Sequence, residues 1–221
     1  MANALRLHYL EAMGIEVWLP KVENAEPEHP DPTVADSWEV LQAEVAGCTA
    51  CALCTTRTQT VFGVGDKQAD WLIIGEAPGQ SEDEQGEPFV GKAGLLLTEM
   101  LRAIGLSRDQ VFITNILKCR PPNNRDPHAN EVASCNAFLQ RQLQLVQPKI
   151  ILAVGRIAAQ TLLNTDAPLG KLRGKVHAFN HTPVVVVYHP AYLLRSLPEK
   201  RKAWQDLVFA LKTIKIIGDN E

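Results

Sequence analysis

An apolar run, Trp71-Leu72-Ile73-Ile74, stops at Gly75 and gives way to Glu76-Ala77-Pro78-Gly79, then to the acids Glu82, Asp83, Glu84 and Glu87. A strand without a polar face has no side to offer water. It belongs inside a sheet covered by helices on both faces, the setting of parallel strands. Three further runs behave alike: Val111-Phe112-Ile113-Thr114 ends at Asn115, the run at 149–154 ends at Gly155, and the run at 183–187 ends at Tyr188-His189-Pro190. Helical spacing separates them, at 93–104, 130–146 and 156–163, and a last helix is expected at 198–217. Residues 60–65 read as a strand and turn, and 165–176 as a loop. Strands alternating with helices predict a three-layer α/β/α fold around a mainly parallel central sheet.

The N-terminal part has a different composition. Leu5, Tyr9, Ala12 and Met13 share one face of a short helix within residues 1–18, and 19–37 is rich in proline and acid, as linkers are. The organisation expected is a peptide at 1–18 that either docks on a partner or folds back, a linker at 19–37, and one domain at 38–221 with Ser37 as the first N-cap. A net charge of −3 excludes a global basic field, so nucleic acid would have to be met by a local patch. The candidates are Lys118, Arg120 and Arg125, then Lys171, Arg173 and Lys175, then Arg195, Lys200 and Arg201. No apolar stretch approaches the ~20 residues of a membrane span, and the N-terminus lacks the layout of a secretory signal. A cytoplasmic protein is expected, and there five cysteines point to metal rather than to disulfides.

Ligands of parallel sheets sit beyond the carboxyl ends of the strands. Glu76, Asn115, Gly155 and His189 therefore come to one edge. Each alone has an ordinary explanation: a helix-capping acid, a turn asparagine, a packed histidine. Three polar side chains at one edge predict a pocket. Cys48 and Cys51 form a C-x2-C pair, and Cys119 and Cys135 supply two more thiols, a set that suits either a structural zinc or an iron–sulfur cluster. Cys54 extends the first pair to C-x2-C-x2-C, so it is either an alternative ligand or a small buried hydrophobe.

Several motifs stand in order along residues 40–212: C-T-A-C at 48–51, R-T-x-x-V-F-G at 57–63, G-E-A-P-G-x-x-E-D at 75–83, G-x-P-F-V-G-x-A-G at 86–94, T-N-I-x-K-C-R-P-P at 114–122 and H-P-A-Y-L-L-R at 189–195. Together they resemble the family 4 uracil-DNA glycosylases, the iron–sulfur branch of that superfamily. The resemblance implies a [4Fe–4S] cluster on Cys48, Cys51, Cys119 and Cys135, with Cys54 not needed. It implies that Phe89 stacks on an extruded uracil, that Asn115 reads the uracil edge and that His189 hydrogen-bonds O2. Glu76 and Asn124 match positions that place the attacking water. Leu193 or Leu194 would wedge into the duplex, and Ala77 and Arg195 complete the substrate-binding set. The superfamily's best-known branch carries an aspartate at the position of Ala77; here the acid stands one residue earlier, at Glu76.

The peptide LHYLEAMGIEVWLP, within 1–20, is similar to the N-terminal peptide of the DNA polymerase III ψ subunit, which contacts the χ subunit. Two functions follow as expectations. One is a DNA repair glycosylase that hydrolyses the N-glycosidic bond of uracil in single- or double-stranded DNA. The alternative is a ψ-type clamp-loader accessory protein with a glycosylase-like DNA-binding domain and χ as its partner.

Overall fold

The computed structural model describes residues 37–218, which fall in the compact unit Asp36–Glu221. The peptide expected at 1–18, and all of the 19–37 linker except Ser37, lie outside the described residues. Ser37 caps the first helix, α1 (Trp38–Ala46), its Oγ accepting from the Val40 N–H at 3.2 Å.

Six strands form the sheet: β1 (Val64–Gly65), β2 (Trp71–Gly75), β3 (Phe112–Asn115), β4 (Ile150–Val154), β5 (Val176–Phe179) and β6 (Thr182–Val187), in the spatial order β1-β3-β2-β4-β6-β5. The four central strands are parallel, and the short edge strands β1 and β5 run antiparallel to their neighbours. The helices that follow α1 are α2 (Gln80–Gln85), α3 (Lys92–Ala103), α4 (Ala129–Val146), α5 (Arg156–Leu163), α6 (Leu169–Leu172), α7 (Pro190–Arg195) and α8 (Lys200–Gly218).

Alternation along each strand sorts the core into two layers. Trp71, Ile73, Leu152, Val154, Val185 and Val187 pack with Leu97 and Leu101 of α3 and with Ala203 and Leu207 of α8. Leu72, Ile74, Ile151, Ala153, Val184 and Val186 pack on the other face, with Leu139 and Leu143 of α4 and Ala158 and Leu162 of α5. Both faces are covered, which is why these strands read as continuous apolar runs. Among the described residues no helix is long and apolar enough to cross a membrane.

Three elements depart from expectation. The loop at 165–176 contains the short α6 and leads into β5, which joins β6 through Asn180 and His181, both at positive φ (47° and 69°). Two left-handed residues between antiparallel strands match the native twist of a hairpin. The acid string after Gly79 is a helix, α2, with Glu82 and Asp83 in its first turn and Gly86 as a left-handed C-cap. Residues 190–195 also close into a helical turn, α7.

Candidate active site

Register sets the edge. Gly75 of β2 lies beside Asn115 of β3, and Val154 of β4 lies beside Val187 of β6. The chain moves from β2 to β3 on one side and then to β4 on the other, so the order reverses at β2 and opens a crevice at its carboxyl end. A cleft of about 650 Å³ occupies it. Glu76, Ala77, Phe89, Asn115, Asn124, His189 and Arg195 all line this cleft.

Asn115 is buried, and its Oδ1 is a buried polar atom with no hydrogen-bond partner, which marks a place for a donor from a ligand. The strand end is fixed from beneath. Lys118, 1% exposed, donates Nζ to Asn115 O at 2.8 Å, to Thr114 Oγ1 at 2.7 Å and to Gln142 Oε1 at 2.6 Å. Gly75 keeps the cleft open, since a Cβ there would lie 2.3 Å from Asn115 Oδ1 and 2.5 Å from Phe89 Cζ. The ring of Phe89 faces that of His189 at 5.8 Å between centroids.

His189 caps α7, and its Nδ1 accepts the Ala191 N–H at 3.1 Å. An accepting Nδ1 leaves the proton of the neutral ring on Nε2. Burial, with the positive charge of Arg195 adding to it and Glu82 opposing, brings the His189 pKa down to about 4. The ring is therefore neutral near pH 7 and donates from Nε2. Glu76 is shifted in the opposite sense: burial, reinforced by the negative charge of Asp126 and opposed by Arg156, raises its pKa to about 7. Asp126 and Arg156 also line the cleft and pair at 2.7 Å, and neither stood out in the sequence, because only the fold brings their loop and helix end beside β2. Asn124 is exposed, with left-handed backbone (φ 53°), and its Oδ1 accepts from Arg120 Nε at 2.8 Å.

Two expectations about this edge are corrected. Leu193 is 1% exposed and packed in the core, whereas Leu194 is 42% exposed, so Leu193 has no freedom to wedge. The basic patch is also smaller than its residue list. Lys118 is buried, Arg125 is held by Glu131 at 2.6 Å, and Arg173 is held by Asp206 at 2.6 Å while lying over the Tyr188 ring. Arg195, Lys171, Lys175, Lys200 and Arg201 are left facing solvent or the cleft rim.

Cys48, Cys51, Cys54, Cys119 and Cys135 line one small hollow behind the cleft, with Leu53, Leu117 and Val132 packed about it. Cys54 is half-buried there rather than enclosed as a core residue. Burial pushes the Cys119 thiol up to about 11, with its neighbours Cys135 and Cys51 adding to the shift and Arg57 opposing it; Cys135 is raised as well. Arg57 Nη1 lies 3.1 Å from Cys119 Sγ. Arg57 beside Cys119 and Lys118 beside Cys135 oppose this rise, and a metal bound to the thiols would oppose it further. Among the described residues no set of three or more Cys, His, Asp or Glu side chains is grouped to hold a single ion. The donor set, four thiols or more around one hollow, fits a cluster that spreads its metals between them.

Comparison with known proteins shows the family. Residues 62–208 match the family described as the Uracil DNA glycosylase superfamily. The chain is 44% identical over 178 residues to a type-4 uracil-DNA glycosylase of Archaeoglobus fulgidus, covering 77% of this chain and 89% of that one. It is 42% identical over 180 residues to the type-4 uracil-DNA glycosylase of Sulfurisphaera tokodaii, covering 77% and 81%. With that of Thermotoga maritima the identity is 41% over 184 residues, covering 81% of this chain and 96% of the relative.

Proposed function

Since the chain belongs to the uracil-DNA glycosylase superfamily and to its type-4 branch, we propose that it is a DNA repair hydrolase that removes uracil from DNA and leaves an abasic site. The observation that carries this reading is the orphaned Oδ1 of Asn115, a buried acceptor aimed at the cleft beside an aromatic ring. Uracil presents a donor at N3 flanked by acceptors at O2 and O4. An amide accepts the first and donates to O4, whereas cytosine offers the reverse pattern at N3 and N4.

A base in a duplex is out of reach, so it turns out into the cleft and stacks on Phe89. Leu194, exposed between the cleft-lining Tyr192 and Arg195, fills the space it leaves, and Arg195 faces the phosphates. As the C1′–N1 bond breaks, its electron pair goes to the base and negative charge gathers on O2. The Nε2–H of neutral His189 donates to that oxygen without itself being an acid. The sugar becomes cationic. Ionised Glu76 stabilises it and takes a proton from the water whose oxygen bonds to C1′. Asn124 and Ala77 border the water's side of the cleft. Cys48, Cys51, Cys119 and Cys135 would hold a [4Fe–4S] cluster, which would supply a cross-link between the 48–51 segment, the loop after β3 and helix α4 rather than electrons, since hydrolysis transfers none.

A reducing, cytoplasmic setting belongs to the same proposal, because it keeps such thiols available to metal. The contact of residues 1–18 with a χ subunit is carried by sequence likeness alone; deletion of 1–20 abolishes χ co-purification if it holds, and retained χ refutes it. For the central reaction, the protein is incubated with a uracil-containing oligonucleotide and the strand is cleaved at abasic sites. Product is expected with the parent. Asn115→Asp sets a carboxylate against O4 and slows the reaction by ~100-fold or more, as unpaired buried polar groups do. Absence of product from both single- and double-stranded substrate rejects the enzyme.

A further inference from the structure

Two neighbouring acids on α2 face opposite ways. Glu82 Oε1 accepts the backbone N–H groups of Val90 and Gly91, each at 2.9 Å, and its Oε2 accepts that of Gly79 at 3.1 Å. Asp83, 2% exposed, accepts the Thr58 N–H at 2.9 and 3.1 Å through its two oxygens and the Gln59 N–H at 3.5 Å. The residue before Thr58 is Arg57, whose guanidinium touches Cys119. One six-residue helix thus holds, through adjacent carboxylates, the segment that leads from the cysteine hollow and the segment that ends in the base cleft.

Phe89 has φ 56°. Left-handed backbone is unfavourable for an aromatic residue and persists only where its surroundings over-determine it. Three groups do so. Glu82 takes the two N–H groups after the ring. Arg108 Nη2 donates to Pro88 O at 2.8 Å and its Nη1 to Phe89 O at 3.2 Å. Gly94 leaves room for the turn, since a Cβ there would fall 1.7 Å from Phe89 O. A phenylalanine that only filled the core could do so from ordinary backbone. The cost of this arrangement is explained by where it puts the ring: Phe89 Cζ and Asn115 Oδ1 close on the same empty point above Gly75.

We propose that Glu82 and Arg108 are positioning residues that lock the backbone around Phe89 so that its ring stands against the Asn115 amide, and that Asp83 ties this lock to the cysteine segment. The inference rests on the stacking role given to Phe89. It assigns the E-D of the G-E-A-P-G-x-x-E-D motif a task distinct from that of Glu76: Glu82 borders the cleft but commits both oxygens to the N–H groups of Gly79, Val90 and Gly91, Asp83 binds Thr58 and Gln59, and both act through the loop that carries the ring.

The test uses the full chain with its cluster and five proteins: parent, Glu82→Gln, Arg108→Met, Phe89→Ala, and the Glu82→Gln/Phe89→Ala double variant. Three quantities are measured: single-turnover cleavage of a uracil oligonucleotide, affinity for the same oligonucleotide with a tetrahydrofuran abasic analogue in place of the uracil nucleotide, and cluster absorbance. Glu82→Gln turns an N–H donor toward N–H donors and releases the loop. It and Arg108→Met are each expected to slow cleavage by ~10-fold or more, in line with the cost of small misplacements at a reacting centre. Both keep the absorbance, and both bind the abasic analogue within about twofold of parent, because no base is present there to stack. In the Phe89→Ala background Glu82→Gln costs less than about twofold more, since residues acting as one unit are not additive. Additive losses, a matching loss of abasic-site affinity, or parent rates in both single variants overturn the proposal. If Glu82→Gln does not fold, Arg108→Met alone and combined with Phe89→Ala carries the same comparison. A parent rate in Phe89→Ala has a different meaning: the stacking role itself then fails, and the proposal falls with it.

Discussion

Glu76→Gln should make the protein more stable and less active, and only above a definite pH. Folding raises the Glu76 pKa from 4.5 to about 7, chiefly through burial at the end of β2 and secondly through Asp126. The folded state therefore holds this proton more tightly than the unfolded chain does. Stability is highest with Glu76 protonated, falls as pH climbs from 4.5 toward 7, and stays reduced above. A shift of about 2.5 units corresponds to ~3.4 kcal/mol at ~1.36 kcal/mol per unit. The cleft is open to water, which screens the effect, so ~2 kcal/mol is the working figure. Glutamine fills the same space and carries no charge, so this cost disappears in the variant. At pH 8 it should melt ~4–8 °C above the parent, by the usual relation for a unit of this size. At pH 4.5 the gain shrinks to ~0.4 kcal/mol, near the limit of detection. Thermal unfolding of the cluster-loaded proteins at both pH values measures this, and cleavage assays at pH 8 should show a loss of ~100-fold or more. An equal melting difference at the two pH values, or none at pH 8, refutes the reasoning, since neither is compatible with a proton bound more tightly in the folded state.

The parent's kcat/KM, measured at subsaturating DNA, should rise through a limb near pH 7 as Glu76 ionises, and that limb should vanish in Glu76→Gln; a flat profile from pH 5 to 9 rules Glu76 out as the base. Gly75→Ala should cost ~1–3 kcal/mol of stability from overpacking and block uracil binding, because its Cβ falls between Asn115 and Phe89; cleavage at the parent rate would show the cleft is not the base site. Leu194→Ala should weaken cleavage of double-stranded more than of single-stranded substrate, and equal effects would remove its wedge role. Cys135→Ala should abolish the broad absorbance near ~400 nm and lower the melting temperature, whereas a colourless parent carrying zinc rejects the cluster.

The sheet was readable because its strands are buried on both faces. Trp71–Gly75 and Ile150–Val154 leave nothing polar to confuse the pattern. The convergence of Glu76, Asn115 and His189 followed from that topology alone. Charge was less legible. Lys118, Arg125 and Arg173 look in sequence like a phosphate-binding set, but a cation's sequence neighbours do not reveal its spatial ones, and these three are claimed by Gln142, Glu131 and Asp206. Leu193 and Leu194 could not be separated for a similar reason. Which of two adjacent leucines faces the core depends on the rotation of α7, a single turn set by His189 and Pro190. The hairpin of β5 and β6 was missed although Asn180-His181 is its signal, because Val176-His177-Ala178-Phe179 alternates exposed and half-buried positions without a matching alternation of polar and apolar residues. Asp126 had no local signal at all.

The spatial order of the central strands also governs when this protein can first act during its own synthesis. The cleft needs Gly75 from β2, Asn115 from β3, Gly155 after β4 and His189 after β6, and β6 is the last strand made. Long-range parallel pairing is the slow part of folding. A ribosome-bound chain that ends before residue 187 has its stacking ring and its amide but no strand to present the imidazole, and β4 then stands at an unfinished sheet edge. Such a chain can hold neither a complete cleft nor the α8 cover on that layer. Base excision by a chain still short of His189 is thereby excluded, because the cleft is complete only once β6 has been made.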